Sequence, residues 1–159
     1  MPYQAVILTI SDSCAAGIRT DTSGPAIRAM LEKAGFAVQA MQTVPDEIAQ
    51  ISAAIVHACD VTQADLVITT GGTGLSPRDV TPEATLAVLD REIRAIPVAM
   101  WVEGLKSTPR AMLSRAVAGT RGHTLVLNVP GSEKAARENL SAVIATLDHA
   151  LKMLAGGGH

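Results

Sequence analysis

The chain has 159 residues and a formal net charge of −2 at pH 7, and its only aromatic residues are Tyr3, Phe36 and Trp101. This length suits one domain, whose core must be aliphatic. Nucleic-acid binding is not expected, because the basic residues are spread along the chain and stacking aromatics are lacking. No apolar run approaches the roughly 20 residues of a membrane-spanning helix. The first apolar segment is too short for a signal peptide, so we predict a cytoplasmic protein.

Short apolar runs alternate with amphipathic segments along the chain. The apolar runs predict strands near residues 5–10, 36–43, 65–70 and 124–128. The amphipathic segments predict helices near residues 24–34, 46–60, 82–90 and 93–106. Because the last of these helices contains Pro97, we expect it to start late or to be kinked there.

The end of the chain completes the pattern. Ser132 is expected to cap a long helix that runs to about residue 154, and residues 155–159 are predicted to form a flexible tail because of their successive glycines. Helices that alternate with strands are typical of the α/β class. We therefore predict a single three-layer domain, residues 1–154, built on a mostly parallel, doubly wound sheet.

The two cysteines, Cys14 and Cys59, lack the spacing of a metal site, and the four histidines form no metal-binding motif. A structural metal is therefore not expected. Cys59 lies on the apolar face of a predicted helix and is expected to be buried. For Cys14 the sequence specifies no basic neighbour that would make it a catalytic thiolate, so its role stays open.

A glycine-rich loop follows the predicted strand at residues 65–70. Its glycines at positions 71, 72 and 74 permit positive φ and close backbone approach, while Thr70 and Thr73 offer hydroxyl donors. Such a loop is typical of a phosphate site, although it matches neither a Walker A loop nor a dinucleotide fingerprint. A tight turn whose glycines serve packing alone is the alternative.

Downstream of the loop, Thr81 is expected to cap a helix that begins at Pro82. Asp79 precedes this helix and lies close to the loop. A carboxylate beside a phosphate costs energy unless a cation or a proton lies between them, and a Mg²⁺ ion is the simplest such cation.

Polar segments follow the carboxyl ends of the predicted strands, at residues 11–13, 43–46, 70–79 and 128–131. In a doubly wound sheet these ends lie at one edge, where such folds bind ligands. We therefore expect one cleft to collect these four segments.

The segment of residues 69–85, which reads Thr-Thr-Gly-Gly-Thr-Gly-Leu-Ser-Pro-Arg-Asp-Val-Thr-Pro-Glu-Ala-Thr, resembles the signature of the molybdenum-cofactor biosynthesis proteins that bind molybdopterin. The likeness is greatest to the molybdopterin adenylyltransferases. Four further segments, residues 8–13, 44–47, 112–115 and 128–131, resemble the family in the same order. The resemblance covers nearly the whole chain.

This resemblance implies an enzyme that transfers AMP from ATP to the terminal phosphate of molybdopterin, with Mg²⁺ as cofactor and release of pyrophosphate. It also implies a homotrimer and a molybdenum-insertion protein that accepts the product. Some relatives bind molybdopterin without turnover, so a binding module is the alternative. A third possibility, based on the anion loop alone, is a regulator that binds another phosphorylated ligand.

By the resemblance, Asp46 and Asp79 are the catalytic pair that holds Mg²⁺ or orients the phosphates. From the residues alone, Asp46 could instead cap a helix that begins at Glu47. Arg78 could equally form a surface ion pair, and Ser114 could be only a local backbone partner. The further residues that the resemblance implies for binding molybdopterin or ATP are Ser11, Asp12, Ser13, Thr70, Gly71, Gly72, Thr73, Gly74, Arg78, Ser114, Arg115, Pro130 and Gly131.

Arg19, Asp21 and Ser23 belong to a loop that resembles the first connection of the family. An ordinary loop with Ser23 as a helix cap explains these residues equally well. Sequence alone leaves both interpretations open.

Overall fold

A computed structural model of the chain describes residues 2–158. It has one six-stranded sheet, whose strands are β1 (Gln4–Ile10), β2 (Ala37–Val44), β3 (Leu66–Thr70), β4 (Arg91–Glu92), β5 (Ala118–Arg121) and β6 (Thr124–Val129). The strand order is β2-β1-β3-β6-β5-β4. Strands β2, β1, β3 and β6 are parallel, whereas β5 and β4 are antiparallel to their neighbours. The prediction of a mostly parallel α/β sheet is confirmed.

The helices are α1 (Asp12–Ala15), α2 (Ser23–Lys33), α3 (Ile48–Val56), α4 (Thr81–Leu86), α5 (Ala95–Leu105) and α6 (Glu133–Leu154). A π-helical turn, His57–Val61, extends α3, and a 3₁₀ helix, Pro109–Leu113, precedes β5. Pro97 lies in the first turn of α5, where its missing N–H is not needed. None of these helices is both long enough and apolar enough to cross a membrane.

Alternate side chains of the central strands pack against helices on opposite faces of the sheet. On one face Ile7 and Ile68 join a core with α2, α5 and α6. On the other face Leu8 and Val67 join a core with α3 and α4. The strands β1, β3 and β6 are thus buried on both sides, as near-continuous apolar runs predict.

The antiparallel part of the sheet departs from the sequence-based prediction. Strand β4 has two residues, and β5 contains Gly119, so neither forms a recognisable apolar run. The carbonyl oxygen of Arg91 lies 2.2 Å from where a Cβ of Gly119 would be, so the close pairing requires glycine. This pairing also ends α4 at Leu86 rather than near residue 90, because the N–H of Asp90 donates to Thr120 of β5.

The start of α2 is also organised differently from the prediction. Ser23 is the first helical residue, not the cap. The carboxylate of Asp21 accepts hydrogen bonds from the N–H of Gly24 at 3.0 Å and from the hydroxyl of Thr9 at 2.7 Å. Asp21 therefore satisfies the helix start and ties it to β1.

Helix α6 follows the prediction at its start, since the Ser132 side chain accepts a hydrogen bond from the N–H of Ala135. At its end Gly156 has φ +86°, and Gly156 and Gly157 donate to carbonyls of the last turn. This is a Schellman-type helix end, which glycine favours. The flexibility predicted for residues 155–159 stays a prediction, and residue 159 lies outside the described residues.

The two cysteines are expected to differ in reactivity. Cys59 is 7% exposed, which confirms its predicted burial, whereas Cys14 is half-buried. Burial raises the pKa of the Cys59 thiol from 9.0 to about 11. The neutral thiol is favoured in the fold, so this contribution to stability is present below pH 9.0 and is lost as the pH rises toward 11.

At pH 8 a two-unit rise in pKa reduces the thiolate fraction about 100-fold. We therefore expect Cys59 in a Cys14→Ala variant to react with iodoacetamide at least that much more slowly than the same thiol in urea. Mass spectrometry of timed samples measures both rates. Equal rates would show that Cys59 is accessible in the folded protein.

Candidate active site

A cleft of about 630 Å³ opens at the carboxyl ends of β1, β2, β3 and β6. The predicted site residues that line it are Ser11, Asp46, Thr70, Gly71, Gly72, Thr73, Gly74, Asp79, Ser114, Pro130 and Gly131. The segments expected to converge there do so, because parallel strands bring their carboxyl ends to one edge.

Four predicted binding residues do not line this cleft: Asp12, Ser13, Arg78 and Arg115. Ser13 contacts the hydroxyl of Ser11 at 3.1 Å, and Asp12 and the two arginines form the ion pairs described below. Each of these four residues makes contacts within the protein itself, and their contacts with a ligand stay predictions.

Asp46 is held by a reciprocal pair of hydrogen bonds with Asp12. The N–H of Asp12 donates to Oδ2 of Asp46 at 2.8 Å, and the N–H of Asp46 donates to Oδ1 of Asp12 at 2.9 Å. The alternative that Asp46 caps α3 is wrong, because Glu47 occupies the cap position and no side chain caps that helix. Oδ1 of Asp46 has no hydrogen-bond partner among residues 2–158 and lies close to Gly72.

Asp79 is anchored in the same manner. The N–H of Ser76 donates to its Oδ2 at 3.0 Å, and the N–H of Asp79 donates back to the carbonyl of Ser76 at 2.9 Å. Within the described part of the chain, Oδ1 of Asp79 has no partner. Each acid is therefore fixed through one oxygen and leaves the other free.

The surroundings of Asp46 and Asp12 shift the pKa values of these two carboxyl groups in opposite directions. Burial raises the pKa of Asp46, and the negative charges of Asp12 and Asp79 raise it as well. The hydrogen bond from the N–H of Asp12 lowers this pKa, but the net shift is upward. The hydrogen bond from Arg78 holds the pKa of Asp12 below its ordinary value. Asp12 thus stays ionised beside Arg78, while Asp46 lies in a setting that favours a cation or a proton nearby.

Arg78 forms the surface ion pairs that the sequence left as an alternative. Its Nε and Nη2 bind the two carboxylate oxygens of Asp12, each at 3.0 Å, and Nη2 also contacts Glu47 at 3.0 Å. In this bidentate geometry the Nε and Nη2 donors of the planar guanidinium are both paired with the carboxylate. That Arg78 neutralises a ligand phosphate stays a prediction, since its side chain is half-exposed and its Nη1 has no partner among residues 2–158.

Arg115 supports the glycine loop, which we define as residues 71–80. Its Nε donates to the carbonyl of Gly74 at 2.8 Å, and its Nη2 donates to the carbonyl of Asp79 at 2.7 Å. Nη1 pairs with Glu83 of α4. Its own N–H donates to the carbonyl of Thr73 at 2.8 Å. These bonds give Arg115 a bracing role, and its role as an anion ligand stays a prediction.

The first two glycines of the loop make close contacts with the protein itself. A Cβ on Gly71, where φ is +106°, would lie 2.2 Å from the carbonyl oxygen of Ile10. A Cβ on Gly72, where φ is +68°, would lie 2.2 Å from Oγ1 of Thr81. These contacts support the alternative that the two glycines serve packing, and both glycines also line the cleft.

The threonines of this region differ from the prediction as well. The hydroxyl of Thr70 donates to the carbonyl of Pro130 at 2.7 Å, so it is not a free donor for a ligand. Thr81 is the first residue of α4 and does not cap it. Its N–H donates to the carbonyl of Gly72, and its buried Oγ1 has no partner within residues 2–158. Thr73, by contrast, makes no side-chain hydrogen bond there and lines the cleft.

Ser114 lines the cleft, and its Oγ also accepts a hydrogen bond from the N–H of Ala116 at 3.3 Å. This contact fits the alternative that Ser114 is a local partner of the backbone. That bond uses only an acceptor site, so the hydroxyl hydrogen remains available to a ligand.

Sequence reasoning missed one wall of the cleft. This wall consists of the 3₁₀ helix with Arg110 and the first turns of α6 with Glu138 and Asn139. Arg110 and Arg19 line the cleft without an ion pair to any described residue, so they are the cations that face it. The i, i+3, i+4 spacing of Ala135, Glu138 and Asn139 was the available signal, because it places them on one helix face.

The fold and this cleft define an α/β protein with a candidate ligand site at the carboxyl edge of its sheet, lined by a glycine loop and two anchored acids. The chain belongs to the family described as "Probable molybdopterin binding domain", whose model matches residues 6–149. This confirms the family predicted from the motifs.

Individual relatives agree with this assignment. The molybdopterin adenylyltransferase of Helicobacter pylori is 37% identical over 154 residues, which is 94% of this chain and 86% of that protein. A crystal structure described as the molybdopterin biosynthesis enzyme MoaB from Thermus thermophilus superposes with a TM-score of 0.92 at 49% identity and covers 97% of both chains. Gephyrin of Dictyostelium discoideum is 40% identical, but the chain spans only 22% of its length.

Proposed function

We propose that this protein is a molybdopterin adenylyltransferase, which transfers AMP from ATP to the terminal phosphate of molybdopterin and releases pyrophosphate. The observation that carries the proposal is the pair Asp46 and Asp79, which line one cleft with the glycine loop and each present one free carboxylate oxygen. The names of relatives that match most of the chain support the same activity.

Mg²⁺ fits the donor set of this cleft. The ion is commonly bound through one or two carboxylates together with substrate phosphates and water. Asp46 and Asp79 would hold it through their free oxygens. No group of three or more His, Cys, Asp or Glu among residues 2–158 could hold a metal ion, so phosphates and water would complete its coordination. When bound, the ion would neutralise charge on the reacting phosphates.

In the proposed reaction a terminal phosphate oxygen of molybdopterin forms a bond to the α-phosphorus of ATP. The bond from that phosphorus to the bridging oxygen breaks, and pyrophosphate leaves with its electron pair. Both reactants are anions, so positioning and donor groups must overcome their repulsion. Thr73 and the loop N–H groups would orient the phosphates, and Arg19 and Arg110 would supply cationic contacts from the cleft walls.

The alternative is a protein that binds molybdopterin without turnover. An inactive binder would not need two acids with free oxygens beside a phosphate loop, since uncompensated carboxylates repel the ligand. The anchored acid pair therefore favours the enzyme. The third possibility, a regulator for another phosphorylated ligand, is not supported by family membership.

A pyrophosphate-release assay tests the proposal. We expect release that requires molybdopterin, ATP and Mg²⁺ together. Release without molybdopterin would indicate an ATPase, and tight molybdopterin binding without release would favour the inactive binder.

We further infer a homotrimer in the cytoplasm that passes its product to a molybdenum-insertion protein. Helix α5 supports the assembly, since Val98, Val102 and Leu105 of this helix are 45–56% exposed. Light scattering on the purified protein measures the mass directly, and a monomer would contradict the assembly.

A further inference from the structure

The 74–79 segment of the glycine loop, which carries Asp79, is held at both of its ends by one side chain. Arg115 donates to the carbonyl of Gly74 at 2.8 Å and to the carbonyl of Asp79 at 2.7 Å. It also pairs with Glu83 at the start of α4 and, through its own N–H, with Thr73. The single guanidinium therefore fixes the width of the segment and its attachment to the next helix.

Asp46, which lies close to Gly72 of the glycine loop, is positioned through a second arginine. The guanidinium of Arg78 donates a hydrogen bond to each carboxylate oxygen of Asp12, both at 3.0 Å. Asp12 in turn exchanges two hydrogen bonds with Asp46, at 2.8 and 2.9 Å. Arg78 lies directly before Asp79 in the chain, so its ion pairs with Asp12, which follows β1, and with Glu47, which follows β2, also tie the glycine loop to the ends of those strands.

We propose that Arg78 and Arg115 are positioning residues that set the placement of Asp46 and Asp79 relative to each other. Neither arginine lines the cleft, and both reach the acids through protein groups rather than through a ligand. The inference rests on the proposed function, in which the free oxygens of the two acids must meet the same reacting phosphates.

Lysine cannot replace either arginine in this role. An ammonium group is a compact point charge, whereas the planar guanidinium presents donors in fixed, divergent directions. Arg115 uses three directions, toward Gly74, Asp79 and Glu83, and Arg78 uses a fork on Asp12 plus a contact with Glu47. A lysine keeps the positive charge, so an Arg→Lys substitution separates geometry from charge.

Arg121 offers a matched control far from the cleft. Its guanidinium binds both carboxylate oxygens of Asp60 and the carbonyl of Val88, which is a similar set of bonds. It does not line the cleft. Arg121→Lys therefore reports the general cost of losing such bonds.

Steady-state kinetics of Arg78→Lys, Arg115→Lys and Arg121→Lys test the inference. We expect kcat to fall about 10- to 100-fold in the first two variants, because misplacement of a catalytic group by about 1 Å costs rate at that scale. The KM values for ATP and molybdopterin should change little. Arg121→Lys should keep the wild-type kcat. A rise in either KM with kcat retained would instead make the arginine an anion ligand and overturn the inference, as would an unchanged kcat.

Hydrogen exchange supplies a readout that does not depend on turnover. In Arg115→Lys we expect faster exchange of the Ser76 and Asp79 amides, whose hydrogen bonds lie inside the braced segment, with core strands unchanged. Unchanged exchange at these amides would overturn the bracing role. If wild-type protein made no product, the proposed function would fail, yet the exchange result would still decide whether Arg115 holds the segment.

Discussion

Asp79→Asn is expected to abolish adenylyl transfer while the protein stays folded. The substitution removes the negative charge that would hold Mg²⁺, and charge stabilisation by a metal is worth several kcal/mol, or about 1000-fold in rate. An asparagine oxygen can still accept the hydrogen bond from the N–H of Ser76 that anchors Asp79. We therefore expect the melting temperature to stay within roughly 2 °C of wild type.

Asp65→Asn is the matched control for this variant. Asp65 also accepts a backbone N–H through Oδ2, from Gln4 at 2.7 Å, but it lies at the opposite edge of the sheet, before β3. Comparison of kcat for the two variants isolates the effect of the cleft. Turnover by Asp79→Asn at the wild-type rate would remove this acid from the mechanism.

Gly72→Val is expected to destabilise the fold and displace the glycine loop. A β-branched residue is strained at φ +68°, and its Cβ would lie 2.2 Å from Oγ1 of Thr81 and 3.1 Å from Oδ1 of Asp46. Together the backbone strain and overpacking cost about 2–6 kcal/mol. For a chain of this size the melting temperature should fall by roughly 10 °C.

Gly122→Val separates the two causes. Gly122 has φ +56°, and nothing lies within 4 Å of where its Cβ would be, so this variant has backbone strain without overpacking. Thermal melts of both variants should show a clearly smaller loss for Gly122→Val. Equal losses would mean that the contact of Gly72 with Thr81 contributes nothing.

The parts of the fold that follow from one-dimensional patterns could be predicted from the sequence. The strands β1, β3 and β6 are apolar runs buried on both faces, and Ser132 starts α6 as expected. The antiparallel edge could not be predicted, because β4 takes its conformation from pairing with β5 rather than from its own two residues. Tertiary hydrogen bonds determine such elements.

The candidate site, like the fold, could be predicted from the sequence only in part. Residues of the glycine loop and both acids could be placed in one cleft, because they follow strand ends. The partners of Arg78 and Arg115 could not be derived, since they come from segments 31 to 66 residues away in sequence. A motif identifies such an arginine, but only the fold decides whether it faces a ligand or a neighbouring carboxylate.

The most direct test of the proposed activity is the mass of the product. Purified protein is incubated with molybdopterin, ATP and Mg²⁺, and the small molecules are analysed by mass spectrometry. The proposed function predicts adenylylated molybdopterin from wild type and Asp65→Asn, and none from Asp79→Asn. Molybdopterin recovered unchanged from the wild-type reaction, although bound tightly by the protein, would contradict it.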